Sequence, residues 1–211
     1  MVAVRDKSQQ HMVLSGISWR TFERILDDIG ERHLRVAYDN GELEFMTLSF
    51  EHESYSRGIY RLIFLAALVL NIPIASGGST TLKRSLRSKG LEADECFWIQ
   101  NEAVMRGKKR WHSRHDPPPD LAVEIDITSS WLDRLGIYAA MGVPEIWRFD
   151  GKSLKLLILD AAGEYRKKKK SLAFPGLPMD GFSRFVRRLG SKDEIALGQE
   201  FTSWLRSEVS K

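Results

Sequence analysis

Between Pro119 and Ile127 the chain alternates strictly: Leu121, Val123, Ile125 and Ile127 fall on one side, and Asp120, Ala122, Glu124 and Asp126 on the other. A period of two predicts a β-strand with one apolar face. The opposite face then carries three carboxylates and no base. Residues that share a face lie about 7 Å apart along a strand, close enough for like charges to repel. Such a face is either wet or holds a cation, and the apolar side assigns this strand to a core sheet.

Other periods divide the rest of the chain. Ser18 is placed to cap a helix through Asp28, with Trp19, Phe22, Ile25, Leu26 and Ile29 as its apolar stripe and Gly30 as its stop. Asp39-Asn40-Gly41 predicts a hairpin between strands at His33–Tyr38 and Glu42–Leu48. A long helix opens at Phe50 or Glu51 and reaches Leu70, buried in its second half because it is apolar nearly all round. Short strands are expected at Ile72–Ser76, Thr80–Lys83 and Asp94–Ile99, then polar, irregular chain over 100–118 with a helical turn near Glu102. After the acidic strand, Ser129 or Ser130 caps a helix through Met141, stopped by Gly142. Strands at Glu145–Asp150, Ser153–Leu159 and Glu164–Ser171 read as an antiparallel meander, and helices at about 181–189 and 192–209 follow. The fold class is α/β, a mixed sheet flanked by helices. The polar start, through about residue 15, reads as disordered, and residues 16–211 as one domain with its core at about 35–155.

Composition narrows the function. A chain of 211 residues with 43% hydrophobic positions is an ordinary globular length and balance. A net charge of +4 permits a polyanionic partner without demanding one. One cysteine, Cys96, excludes a disulfide framework and a thiolate zinc cluster, and fits a reducing compartment. The first ten residues have no apolar signal region, and the longest apolar run, Leu62 to Leu70, is too short to span a bilayer. The expectation is a cytoplasmic protein with no membrane partner.

The candidate chemistry is carboxylate chemistry. Asp94 opens one predicted strand and Glu124 lies within another, thirty residues on. If those strands pair as neighbours, the two side chains meet on one face, as a hard cation such as Mg²⁺ requires. A metal so held can polarise a phosphoryl oxygen and generate hydroxide near neutral pH.

The order of these pieces resembles the PD-(D/E)XK nuclease core, and within it the Uma2 family of restriction-endonuclease-like proteins. The resemblance is carried by Asn40-Gly41-Glu42-Leu43-Glu44-Phe45-Met46, Glu51-His52-Glu53, Glu92-Ala93-Asp94-Glu95, Pro118-Pro119-Asp120-Leu121-Ala122-Val123-Glu124-Ile125 and Tyr138-Ala139-Ala140-Met141-Gly142-Val143-Pro144-Glu145-Ile146-Trp147. It covers roughly residues 35–155 and implies an endonuclease that cleaves nucleic-acid phosphodiesters with Mg²⁺ or Mn²⁺. By the resemblance, Asp94 and Glu124 are metal-binding and catalytic, with Asp126 a further metal candidate and Glu53 a weaker catalytic one. The substrate implied is nucleic acid, DNA first, and cleavage of both strands implies a homodimer. The chain departs from the pattern twice. Ala93-Asp94 stands for Pro-Asp, which keeps the carboxylate. Asp126 stands where lysine is expected, and the helix that follows offers Asp133-Arg134. Arginine at 134 can stabilise an anionic transition state but cannot deprotonate water.

Structural readings stand beside these. Asp94 and Glu124 could be solvent-facing strand residues, Asp120 could cap a turn, and Asp126 could pair with Arg134. Glu51 and Glu53 suit a helix N-terminus, and His52 reads as a surface or packing histidine. His112, His115 and Asp116 make only half a zinc site. Arg106, Lys108, Lys109 and Arg110, with Arg114 and Trp111, suit either a phosphate backbone and an unstacked base or a solvated loop. Arg166 to Lys170 reads as a strand edge blunted by lysine, with nucleic-acid contact second. Cys96 and Trp147 read as core. Three functions compete: the metal-dependent endonuclease; a catalytically inactive nuclease-fold module that binds nucleic acid or a protein partner, motivated by the missing lysine; and, more weakly, a two-carboxylate glycosidase.

Overall fold

A computed structural model describes residues 11–30, 34–127, 130 and 132–210. In chain order the elements are β1 (His11–Leu14), α1 (Trp19–Ile29), β2 (Leu34–Asp39), β3 (Glu42–Thr47), α2 (Phe50–Leu70), β4 (Ala75–Ser76), β5 (Thr81–Arg84), β6 (Lys89–Glu92), β7 (Glu95–Trp98), α3 (Glu102–Met105), β8 (Leu121–Ile125), α4 (Arg134–Met141), β9 (Glu145–Phe149), β10 (Leu154–Leu159), β11 (Tyr165–Lys167), α5 (Met179–Val186) and α6 (Glu194–Val209). The fold is mixed α/β, but the described strands form two sheets rather than one. The first is antiparallel, in the order β1-β3-β2-β6-β5; the second is mixed, in the order β11-β10-β9-β8-β7-β4.

Local chemistry explains most boundaries. Ser18 caps α1 by accepting from the Thr21 amide, and Ser49 caps α2 by accepting from the His52 amide. The hairpin turns on Asn40 and Gly41, both at positive φ. The helix α4 departs from expectation. It begins at Arg134 with Asp133 as its cap, while Ser130 instead donates to Glu44 at 2.6 Å; Ser129 lies outside the described residues. Strand β6 was not expected, because its centre is a glycine. There the bare Gly90 lets the Phe22 ring approach, with an added Cβ meeting it at 3.1 Å. His11–Leu14, expected within a disordered leader, pair antiparallel with β3; residues 1–10 lie outside the described residues.

The second sheet separates two environments. On one face Leu121, Val123, Ile125, Trp147 and Phe149 pack against α2, α5 and α6. On the other, Ala122, Cys96 and Ile146 pack against Ile137, Tyr138 and Met141 of α4 and against Leu82 and Leu91 of the first sheet. Between the sheets, this second face grades from apolar packing into a group of buried charges. No described helix is long and apolar enough to cross a membrane.

Candidate functional site

The site is set by strand register. Strands β7 and β8 are antiparallel with Glu95 opposite Val123 and Cys96 opposite Ala122, so the same register continued by one residue sets Asp94 opposite Glu124. Both share the face of Cys96 and Ala122, because side chains alternate. Strand β9 runs parallel to β8 and places Arg148 beside Glu124.

Asp94 is 3% exposed and is held on every side. Arg35 Nε donates to its Oδ1 at 3.1 Å and the Ile125 amide to its Oδ2 at 2.7 Å. Nε2 of His52, itself 1% exposed, lies 3.3 Å from Oδ2. Burial works to raise this carboxyl, but His52, Arg35 and Arg134 outweigh it and hold it below the ordinary aspartate range. Glu124 is 6% exposed and takes both arms of a guanidinium: Arg134 Nε donates to Oε2 at 2.6 Å and Arg134 Nη2 to Oε1 at 3.0 Å. The Tyr138 hydroxyl also donates to Oε1. Burial raises Glu124 above the ordinary glutamate range; the Asp94 charge adds to this, while Arg134 and Tyr138 oppose it. Arg134 Nη2 makes a further bond to the Glu92 carbonyl at 2.7 Å, tying the start of α4 to the first sheet. A cavity of about 130 Å³ opens beside Glu124, lined among others by Asp126, Ser130, Arg134 and Arg148; Asp94 does not line it.

The other expected residues are placed as follows. Asp126 pairs with Arg148, whose Nε donates to it at 2.9 Å, and not with Arg134. Glu53 turns outward, its side chain 37% exposed, while the neighbouring His52 turns inward. Asp120 accepts from the Ile99 and Asn101 amides and the Asn101 side chain, a turn-fixing role. Arg106 pairs with Glu102, and Lys108 with Asp116. The loop that bears them leaves β7 and enters β8 at the end of the hairpin opposite Asp94 and Glu124. Lys109 and Arg110 are exposed on it, and Trp111 is fixed by a bond to the Pro117 carbonyl.

Sequence reasoning missed Arg35, Tyr138 and the inward turn of His52. The last has a signal: His52, Ser56, Ile59 and Ile63 recur at helical spacing on the buried face of α2. It also missed Glu95, which is 1% exposed and faces α2 beside Ser56 and Arg57, with one oxygen lacking a hydrogen bond.

A divalent ion suits this donor set in type and charge. An ionised carboxylate has about four acceptor positions. Asp94 Oδ1 and Glu124 Oε2 each accept a single hydrogen bond and keep one free. Around them lie three carboxylates (Glu92, Asp94, Glu124), two guanidiniums (Arg35, Arg134) and the His52 imidazole. Among the described residues no group of three or more His, Cys, Asp or Glu is arranged to hold a metal. A site of two carboxylates completed by water and substrate phosphate, the usual habit of Mg²⁺, is what the donors allow.

Comparison with curated proteins gives no match. The family model of Uma2, described as "Putative restriction endonuclease", matches residues 19–182. That span takes in Arg35, His52, Asp94, Glu124, Arg134 and Tyr138 and more than three quarters of the 211 residues, and the chain belongs to the Uma2 family.

Proposed function

We propose that this protein is a divalent-cation-dependent endonuclease that hydrolyses nucleic-acid phosphodiesters. The observation that carries the proposal is a pair of buried carboxylates brought together where β7 meets β8, Asp94 and Glu124, with Glu124 lining a cavity, in a chain of this family. Asp94 and Glu124 would hold the ion, which supplies Lewis-acid polarisation of a phosphoryl oxygen and lowers the pKa of bound water. The chain's own groups do the positioning. Arg35, the Ile125 amide and His52 keep Asp94 ionised and oriented. Tyr138 orients Glu124. Arg134 brings positive charge to the cavity wall, where it offsets charge developing on phosphate; it cannot serve as the base that takes a proton from water. Two such sites, as in a homodimer, meet the need to cut both strands of a duplex.

The test is cleavage of plasmid and oligonucleotide DNA and RNA with Mg²⁺, with Mn²⁺ and with EDTA, by the wild type and by Asp94→Asn and Glu124→Gln. Metal-dependent cleavage lost in both folded variants is the expected result; cleavage retained in both removes the mechanism. A second reading, a nuclease-fold module that binds without cutting, is favoured by one observation. Arg134 closes on Glu124 through two nitrogens, and Asp126 stands where the resemblance leads one to expect a lysine. Absence of cleavage with either metal, together with retained nucleic-acid binding, is the outcome that selects it.

A further inference from the structure

The register that joins the two acidic strands continues across the second sheet and changes sign. Glu124 of β8 lies beside Arg148 of β9, and Arg148 lies opposite Lys155 of β10. The edge strand β11 sets Lys167 opposite Leu157, on the same face as Lys155, and the ladder runs on through the Lys168 amide to the Leu156 carbonyl at 3.0 Å. One face of the sheet therefore reads, strand by strand from β7, aspartate, glutamate, arginine, lysine, then the lysine-rich edge. Neighbouring strands are about 4.8 Å apart, so the cationic part reaches about 10 Å beyond Arg148.

Charge is concentrated there. Residues 148–170 hold eight Lys and Arg against three Asp and Glu, a net of +5, whereas the whole chain carries +4. Lys155 and residues 166–170 are exposed. Asp126 pairs with Arg148, Asp150 with Lys155, and Asp160 and Glu164 with Arg166. Among the described residues Lys167 and Lys169 have no ionic partner. The 106–110 loop differs in place, joining the hairpin at the end away from the acidic pair; in pairing it matches the row, with two of its four cations, Arg106 and Lys108, held in ion pairs.

We infer that the row Arg148, Lys155, Lys167 and Lys169 is the track along which the phosphate backbone of a nucleic-acid duplex reaches the acidic pair. The inference rests on the reading that the substrate is nucleic acid. Duplex rather than single strand follows from the make-up of the row: it offers cations for phosphates but no exposed aromatic on which an unstacked base could lie. An edge strand crowded with lysine also resists pairing with another sheet. That need is local to the edge and does not account for Lys155, one strand in, or for Arg148, two strands in.

The test is binding of a 20-base-pair DNA duplex, read by fluorescence anisotropy in EDTA across a salt series. It compares the full chain with a row variant (Lys155→Glu, Lys167→Glu, Lys169→Glu) and a loop variant (Lys109→Glu, Arg110→Glu), all checked for folding by circular dichroism. The row variant is expected to bind about tenfold or more weakly at about 0.1 M salt, and its log–log salt slope to flatten by about 2 to 3, one lost phosphate contact per residue. The loop variant is expected to stay within about twofold of wild type. Equal losses in both variants, a loss in the loop variant alone, or no binding by wild type overturns the track. Row-dependent binding without metal-dependent cleavage leaves the track standing and removes the nuclease reading. Cleavage whose affinity ignores the row does the reverse.

Discussion

Two buried glutamates on adjacent strands, Glu124 of β8 and Glu145 of β9, face opposite sides of one sheet and are satisfied in opposite ways. Glu145 is fully buried and accepts from the Ser171 hydroxyl at 2.7 Å, the Leu172 amide at 2.6 Å, the Ala173 amide at 3.0 Å and the Trp147 indole at 2.5 Å. All four donors are neutral and two are backbone, so the carboxylate staples the 171–173 turn to the core. Glu124 is held by a guanidinium and a phenol beside a cavity, and faces a second carboxylate across the strand pair. Burial alone therefore does not separate the acid proposed to hold a metal from a structural one. The kind of partner separates these two: the backbone amides on Glu145 cannot leave, whereas the side-chain cation on Glu124 can exchange its carboxylate for a phosphate or yield it to a metal.

The sharpest way to break this contrast is chemical. Asp94→Asn or Glu124→Gln is expected to lower metal-dependent cleavage by about 10²–10³-fold, while Glu145→Gln leaves the folded protein within a few-fold of wild type; plasmid nicking measures all three. Equal loss from Glu145→Gln would erase the distinction. Next in size is stability. Glu145→Ala strands several buried donors and is expected to cost about 3 kcal/mol in denaturant unfolding, with duplex affinity unchanged. Substituting Arg134→Lys returns a group that can lose its proton, and should raise cleavage about tenfold in single-turnover assays. A variant that folds, binds duplex and still does not cut would favour the binding module.

The smallest expected effect is a pH dependence on the Glu145 side of the sheet. Burial, only partly offset by Arg57, raises Glu95 from 4.5 to about 7. Between pH 7 and 4.5 the folded state then holds a proton that the unfolded chain has released, so Glu95 makes stability rise as pH falls through that window. Asp94 works the other way. Its pKa is depressed, so its contribution is present above the unfolded value and lost as pH falls below it. Melting temperature should climb by about 2–4 °C from pH 7.5 to 5 in wild type. It should stay nearly flat in Glu95→Gln, which is expected to melt higher than wild type at pH 7.5. A slope unchanged in that variant would assign the effect to another group.

Legibility in the sequence followed the range of the interaction. The Asp39-Asn40-Gly41 turn, the Ser18 cap and the alternation of 121–125 are set by neighbours along the chain, and each was readable. Lys89–Glu92 was not, because Gly90 erases the period-two signal and is explained by neighbours distant in the chain, the Phe22 ring of α1 and Lys83 of β5. His52 reads locally as a surface or packing histidine, and Glu53, beside it at the helix N-terminus, as the acid to point inward. Following the buried stripe through Ser56 and Ile59 would have reversed that choice.

By itself the sequence determined that Glu124 stands on a strand and opposes an apolar face, and that arginine rather than lysine opens the following helix; these depend on residue type and period. Asp94, expected to open a strand, lies in the bend just before β7. Only the tertiary structure decided which charges meet. The one-residue register between β7 and β8 set the acids opposite each other. The parallel crossover through α4 brought Arg148 beside Glu124, and the packing of the two sheets delivered Arg35 to Asp94. The reason is physical: alternation assigns a face to every strand residue, but shifting one strand by a single position would reverse each face and keep the pattern intact, so only the pairing itself selects the site.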